Sequence, residues 1–304
     1  MRGFIEDLLP GPAFGWRAIR ILLGVIAGLL VCIVMFEDKL IYFPERYPAG
    51  RWDVSGLPAR EGEIVPGIED CHFTASDGVK LHGWLASPRR KKGSEFEPVP
   101  AEEVLLWFHG NAGNITSRFE MIRMLMQLPA QVFIIDYRGY GKSEGNPTEA
   151  GLYLDARAAW DYLTVERGVS ASRVVIFGKS LGGAPAIDLA GKVEPGGLIV
   201  QSSFTSIKDM AASILPFFPN FVLRTKMDSR AKIASVRCPK LFIHSPVDEV
   251  VPYKLGRDLF EAAPEPKRFY EVRGAPHNET YIVGGRPYLE ALREFLAEVR
   301  RERD

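Results

Sequence analysis

Residues 173–183 read Arg173-Val-Val-Ile-Phe-Gly-Lys-Ser-Leu-Gly-Gly183 and run on into Ala184-Pro-Ala-Ile-Asp-Leu-Ala190. The first part is a short apolar, β-branched run of the kind that forms a strand buried on both faces. The last part reads as a helix. The turn between them, Gly178-x-Ser180-x-Gly182, is so tight that side chains at 178 and 182 would collide with the backbone around the serine. A serine held there stands at the tip of a sheet and over a helix N-terminus, whose dipole favours developing negative charge. Ser180 is therefore the candidate nucleophile.

A serine hydroxyl needs a base to take its proton and an acid to orient that base. The chain has five histidines, His72, His82, His109, His244 and His277. His277 lies in Gly274-Ala-Pro-His-Asn278, a turn-forming loop directly after the last expected strand, which places it at the sheet edge that carries Ser180. His244 ends the preceding strand, and His72 and His82 lie in the first two, where packed or surface roles are commoner. The acid candidate is Asp248 in the loop His244-Ser-Pro-Val-Asp-Glu-Val-Val-Pro252. Glu249 is the adjacent rival, and the shorter side chain favours Asp248 for a fixed hydrogen bond. Donors for a tetrahedral oxyanion come from the stretch Trp107-Phe-His-Gly-Asn-Ala-Gly-Asn114. The amides of Asn111 and Leu181 are the expected pair, with His109 fixing the loop by hydrogen bonding. Ser143 lacks the strand-to-helix context of a nucleophile, and Asp136 reads as a strand-end group that caps local amides. No HExxH, aspartate cluster or phosphate-cradling loop points to a metal or nucleotide, so no cofactor and no metal site is expected.

Outward from this centre, the chain of 304 residues reads as a wound α/β domain. Expected strands are 71–75, 81–86, 104–108, 132–136, 173–177, 198–201, 240–244 and 268–272. A helix is expected to start at Asn146 as N-cap, with Pro147 first and Glu149 three residues after the cap, and to close at Gly168. Residues 89–100 read as a polar loop. Lys plus Arg and Asp plus Glu each number 38, which gives no broad basic face for nucleic acid. The three cysteines, Cys32, Cys71 and Cys238, fit neither a disulfide framework nor a zinc cluster.

The N-terminus is atypical. Ile21–Phe36 is an uncharged run, ILLGVIAGLLVCIVMF, that would cover roughly 24 Å of a hydrocarbon core about 30 Å thick. Extended back to Ala18, it reads as an uncleaved single-pass anchor, because Glu37, Asp38 and Lys39 follow in place of a cleavage site. Positive charges are tied across the span, and Arg17 with Arg20 lean the assignment toward an extracytoplasmic domain. The expected organisation is an N-terminal segment 1–39 with a membrane helix at about 18–36, and an aromatic interfacial arm 40–68 carrying Tyr42, Phe43 and Tyr47. A catalytic domain 69–304 follows, with a cap at about 206–230. In that cap Ile214, Leu215, Phe217, Phe218, Phe221 and Leu223 are placed to line an acyl pocket or to touch a bilayer.

Taken together, these pieces resemble the α/β-hydrolase superfamily, in particular its membrane-anchored members. The resemblance rests on Leu40-Ile-Tyr-Phe-Pro44, His109-Gly-Asn-Ala-Gly-Asn114, Asp136-Tyr-Arg-Gly-Tyr-Gly-Lys-Ser-Glu-Gly145, Gly178-Lys-Ser-Leu-Gly-Gly183, Ser203-Phe-Thr-Ser206 and the Asp248 and His277 loops. The order Ser180, Asp248, His277 is that of the superfamily. The resemblance implies a mostly parallel sheet of about eight strands flanked by helices and a serine esterase, lipase or acyl-thioesterase. Its partners would be membrane lipid and an acyl ester or thioester, without nucleic acid. A non-catalytic membrane scaffold and an acyltransferase with the same triad are the alternatives.

Overall fold

The computed structural model describes residues 12–54, 58–214, 219 and 222–303, apart from the side chains of 12–15, 18, 26, 27 and 30. Its first element is the 30-residue helix α1, Pro12–Ile41. Ile21, Leu22, Leu23, Leu29 and Met35 are exposed along it. Among the described residues no helix is long and apolar enough to cross a membrane. The span expected at 18–36 lies partly outside them, at the side chains of Ala18, Ile26, Ala27 and Leu30.

Nine strands form one sheet: β1 Ile64–Thr74, β2 Lys80–Lys92, β3 Glu95–Pro98, β4 Glu103–Phe108, β5 Ala130–Asp136, β6 Val174–Lys179, β7 Gly197–Gln201, β8 Lys240–His244 and β9 Lys267–Glu271. The order is β1-β2-β5-β4-β6-β7-β8-β9, with β3 paired to β2. Strands β1 to β3 are antiparallel, β2 joins β5 antiparallel, and every pairing from β5 to β9 is parallel. The parallel strands other than the edge strand β9 are buried on both faces, so their side chains alternate between two cores. Leu105 and Trp107 of β4 join Ile122 and Leu125 of α2 (Phe119–Leu125) and Leu292 and Phe295 of α8 (Thr280–Arg303). Leu106 and Phe108 face the other way, toward Ala156 of α3 (Glu149–Asp161) and Ile187 of α4 (Gly183–Ala190).

Two expectations are corrected. The 89–100 stretch is a hairpin, not a loop: β3 pairs with the end of β2 around Gly93 at φ 59°, and Lys92 meets Glu97 at 2.6 Å. Helix α3 is capped by Thr148, whose side chain accepts from the Gly151 amide, while Asn146 accepts instead from Arg46 at 3.0 Å. A long-range partner thus outcompetes a local cap. The stretch expected as an arm, 40–68, meets the domain at several described residues. Tyr42 is buried in the core, the 44–47 stretch bridges to Gly113 and Gly141, and β1 already begins at Ile64. Phe43 and Tyr47 are exposed.

The turn after β6 is as tight as the sequence implies. Ser180 has φ 53°, in the left-handed region. A Cβ on Gly178 would lie 2.6 Å from the Gly182 carbonyl oxygen and from the Ala186 Cβ, and one on Gly182 would lie 2.0 Å from the Phe108 carbonyl oxygen. The substitution Gly182→Ala must therefore push α4 away from β4. It is expected to cost about 3 kcal/mol, read as a drop of several degrees in Tm by thermal denaturation. An unchanged Tm would contradict this packing.

Candidate active site

The parallel strands deliver the site residues to one edge. Ser180 follows β6, Asp248 follows β8 and His277 follows β9, and these strands are joined through β7. His277 Nδ1 lies 2.9 and 2.8 Å from the two Asp248 oxygens. An ionised carboxylate only accepts, so Nδ1 carries the proton and Nε2 is left as the basic nitrogen. Asp248 also accepts from the amides of Val250 and Val251 at 3.0 and 2.8 Å. Burial alone would raise its carboxyl. The hydrogen bonds from His244 and His277, with the Val251 amide, outweigh that and hold it well below the usual carboxylate range.

His244, read from the sequence as packed or at the surface, enters this network. Its Nε2 lies 3.3 Å from Asp248 Oδ2 and 3.1 Å from the Val251 carbonyl, both acceptors, so that nitrogen also carries a proton. The i to i+4 spacing from the strand end into the acid loop is the signal that could have found it. Glu249, the rejected rival, accepts the backbone amide of His277 at 2.9 Å and so fixes the base loop from outside. Just beyond that loop, Gln201 at the end of β7 bonds Thr280 and accepts from Tyr288 at 2.6 Å, tying the start of α8 to the sheet.

The 109–114 loop stands against Ser180. A Cβ built on Gly110 would lie 3.4 Å from Ser180 Cβ, so a bare backbone is what lets the loop approach. Arg118 donates to the carbonyls of Ala112 and, at 3.5 Å, Gly110, an arrangement that nothing in the sequence signals. His109 is fully buried, with Nδ1 2.6 Å from the Gly110 carbonyl. Burial, with the Arg118 charge, pushes it down to about 3, so it is neutral at pH 7 and holds the loop as expected. The Asn111 side chain is engaged by the start of the domain and the loop after β5: it donates to the Ile41 carbonyl at 2.5 Å and accepts from the Phe43 amide and the Tyr140 hydroxyl. Ser143 hydrogen-bonds the Asp136 carbonyl and the His82 amide, and Asp136 accepts from the Ile115 amide, so both are structural.

A cavity of about 490 Å³ opens over Ser180, with Asn111, Leu181 and Val251 around it. Its far walls come from α1 (Ile33, Glu37, Leu40) and α5, Ile207–Ile214. Of the cap residues expected there, Ile214 and Leu223 line the cavity, and Leu215, Phe217, Phe218 and Phe221 lie outside the described residues. Among the described residues Glu37 is the one lining carboxylate, and it accepts from the Thr225 amide at 2.8 Å and from the amide and guanidinium of Arg224 at 3.0 and 3.2 Å. No group of three or more His, Cys, Asp or Glu side chains suited to a metal is found among the described residues.

Residues 99–230 match the family described as "Serine aminopeptidase, S33". Over 310 residues the chain is 35% identical to the "Alpha/beta hydrolase domain-containing protein WAV2" of Arabidopsis thaliana, covering 92% of this chain and 94% of that one. The chain is an α/β-hydrolase. It is also 37% identical over 275 residues to the uncharacterized protein Rv2307c of Mycobacterium tuberculosis (90% and 92% covered), and 33% identical over 271 residues to protein bem46 of Schizosaccharomyces pombe (86% of each). Among solved structures, an esterase of Pyrococcus furiosus, Pf2001, aligns with TM-score 0.65 over 84% of this chain and 98% of its own. At 21% identity that likeness is one of fold. The family is one of hydrolases.

Lys179, beside the nucleophile, is buried. Burial and the Arg118 charge push it down to about 8, against the pull of Asp248. Because the folded value lies below the unfolded one, the unfolded state binds more protons between about pH 8 and about pH 10.4. The charged lysine is therefore a net cost below pH 8, relieved as pH rises through that window. Lys179→Met is expected to raise Tm by a few degrees at pH 7, with the gain over wild type shrinking toward pH 10. Scanning calorimetry across pH 6–10 reads this directly. A gain that grows with pH would reverse the assignment.

Proposed function

We propose that this α/β-hydrolase is a membrane-tethered serine hydrolase that cleaves carboxylic esters or thioesters of lipid-derived or acylated substrates. The observation that carries the reading is the placing of Ser180 on the floor of a predominantly apolar cavity, with the Asp248–His277 pair on the same sheet edge. In this mechanism Ser180 Oγ attacks the substrate carbonyl as His277 Nε2 takes its proton, and Asp248 steadies the imidazolium that forms. The amides of Asn111 and Leu181 donate to the oxyanion, a contribution of a few kcal/mol per donor in such sites. Collapse expels the alcohol or thiol with the proton from His277, leaving an acyl-Ser180 ester. Water, deprotonated by the same imidazole, then releases the acid and frees the serine.

The family's aminopeptidase description suggests a peptide substrate as a second reading. An aminopeptidase needs an anionic group to receive the free amino terminus. The lining carboxylate, Glu37, already has both oxygens engaged by Arg224 and Thr225, which favours the ester reading. A scaffold would need none of the charged pairs that hold His277. An alcohol acceptor in place of water would make the same site an acyltransferase.

Membrane attachment through α1 is supported by the exposed apolar run Ile21, Leu22, Leu23, Val25 and Leu29, since soluble surfaces rarely leave so long an apolar stretch uncovered. The arginine placement favours the domain on the extracytoplasmic side.

Hydrolysis of p-nitrophenyl esters in mild detergent, comparing wild type with Ser180→Ala, tests the chemistry. A fall in kcat of about a million-fold, to the background rate, is expected. Activity that survives in Ser180→Ala would place the nucleophile elsewhere. In membranes isolated before any detergent is added, wild-type protein should stay with the pellet after carbonate extraction, and its release to the supernatant would refute the anchor.

A further inference from the structure

The cavity above Ser180 is not made by the catalytic domain alone. Ile33, Glu37, Leu40 and Ile41 follow one another on α1 at i, i+4, i+7 and i+8, a single stripe of the helix, and all four line the cavity that Ser180 opens into. Two ties hold the stripe in place. At its lower end the Asn111 side chain clasps the helix terminus, donating to the Ile41 carbonyl and accepting from the Phe43 amide at 3.1 Å. At its middle, the buried Glu37 accepts the amides of Arg224 and Thr225, which follow the cavity-lining Leu223. Helix α1 is thus fastened to the loop of the proposed oxyanion donors on one side and to the end of the cap on the other. From Ile41 to Ile33 the stripe climbs about 12 Å along the helix, away from the nucleophile and toward the exposed apolar run.

We infer that the C-terminal turns of α1 form the acyl-binding wall of the site, so that the anchor helix itself measures the acyl chain. The preferred substrate is a single-chain acyl ester of medium length, lying along the stripe with its carbonyl at Ser180 and its methyl end at Ile33. This inference rests on the esterase reading of Ser180. Polar groups near the chain do not compete with it, because Glu37 spends its oxygens on the cap backbone. An ester resident in a membrane would enter with its chain already parallel to the helix.

The test is the ratio of kcat/KM for p-nitrophenyl dodecanoate to that for the butyrate, measured on the full chain in detergent. Within the cavity, wild type should gain about fourfold per added methylene. Ile33→Phe shortens the wall and should lower the dodecanoate-to-butyrate ratio at least tenfold, whereas Ile33→Ala should shift the optimum to longer chains. Val25→Phe, two turns further up on an exposed face, should leave the ratio at the wild-type value. A ratio within twofold of wild type in both Ile33 variants would overturn the inference. So would an equal shift in Val25→Phe, or a loss in the Ile33 variants that is uniform across chain lengths. A wild type inactive on every ester would instead take down the esterase reading itself.

Discussion

Everything in this molecule's chemistry hangs on how closely two backbones pass at the end of the central strand. Gly182 sits against the carbonyl of Phe108 at a separation that leaves no room for a Cβ, and Gly178 meets the first turn of α4 in the same way. That contact forces the chain to reverse within three residues, and Ser180 takes φ 53° as a result. A serine in the left-handed region costs on the order of 1 kcal/mol or more, and the packing of β4, β6 and α4 around it is what sustains the conformation. The same closeness brings the Gly110 backbone against the serine, so the loop of the proposed oxyanion donors and the nucleophile are set by one packing event.

The Asp248–His277 pair is held by a different logic. Asp248 is buried, which disfavours its charge, yet two imidazoles and two amides converge on it and keep it ionised. With the carboxylate charged, His277 has a fixed tautomer and a fixed orientation. Glu249 and the Gln201–Thr280–Tyr288 chain then hold the backbone on either side. The loop of His277, which runs from β9 to the C-terminal helix, is thereby tied on both sides.

Much of this was legible in the sequence because its signals are local. The eight strands expected from apolar runs are all present, and the glycines around Ser180 announce a turn that only glycine permits. What escaped were features made by partners far apart in the chain. The hairpin strand β3 is polar and exposed, so hydrophobic patterning cannot reveal it. Asn146 looks like a helix cap until Arg46, a hundred residues earlier, claims its side chain. Arg118 carries no motif, and its work is visible only once the loops fold over one another. The largest surprise is α1: an apolar helix reads as an anchor from hydropathy, but no pattern in its own residues says that Glu37 and Ile33 border the catalytic cavity.

The central claim is that Ser180 carries an acyl group during turnover. The direct measurement is peptide mapping by mass spectrometry after acid quench of the enzyme with excess p-nitrophenyl octanoate. The account predicts an octanoyl ester on the peptide that contains Ser180, and on no other serine, disappearing on longer incubation as water clears it. An octanoyl group found on a different residue, or product formed with no modified peptide at any quench time, would contradict it.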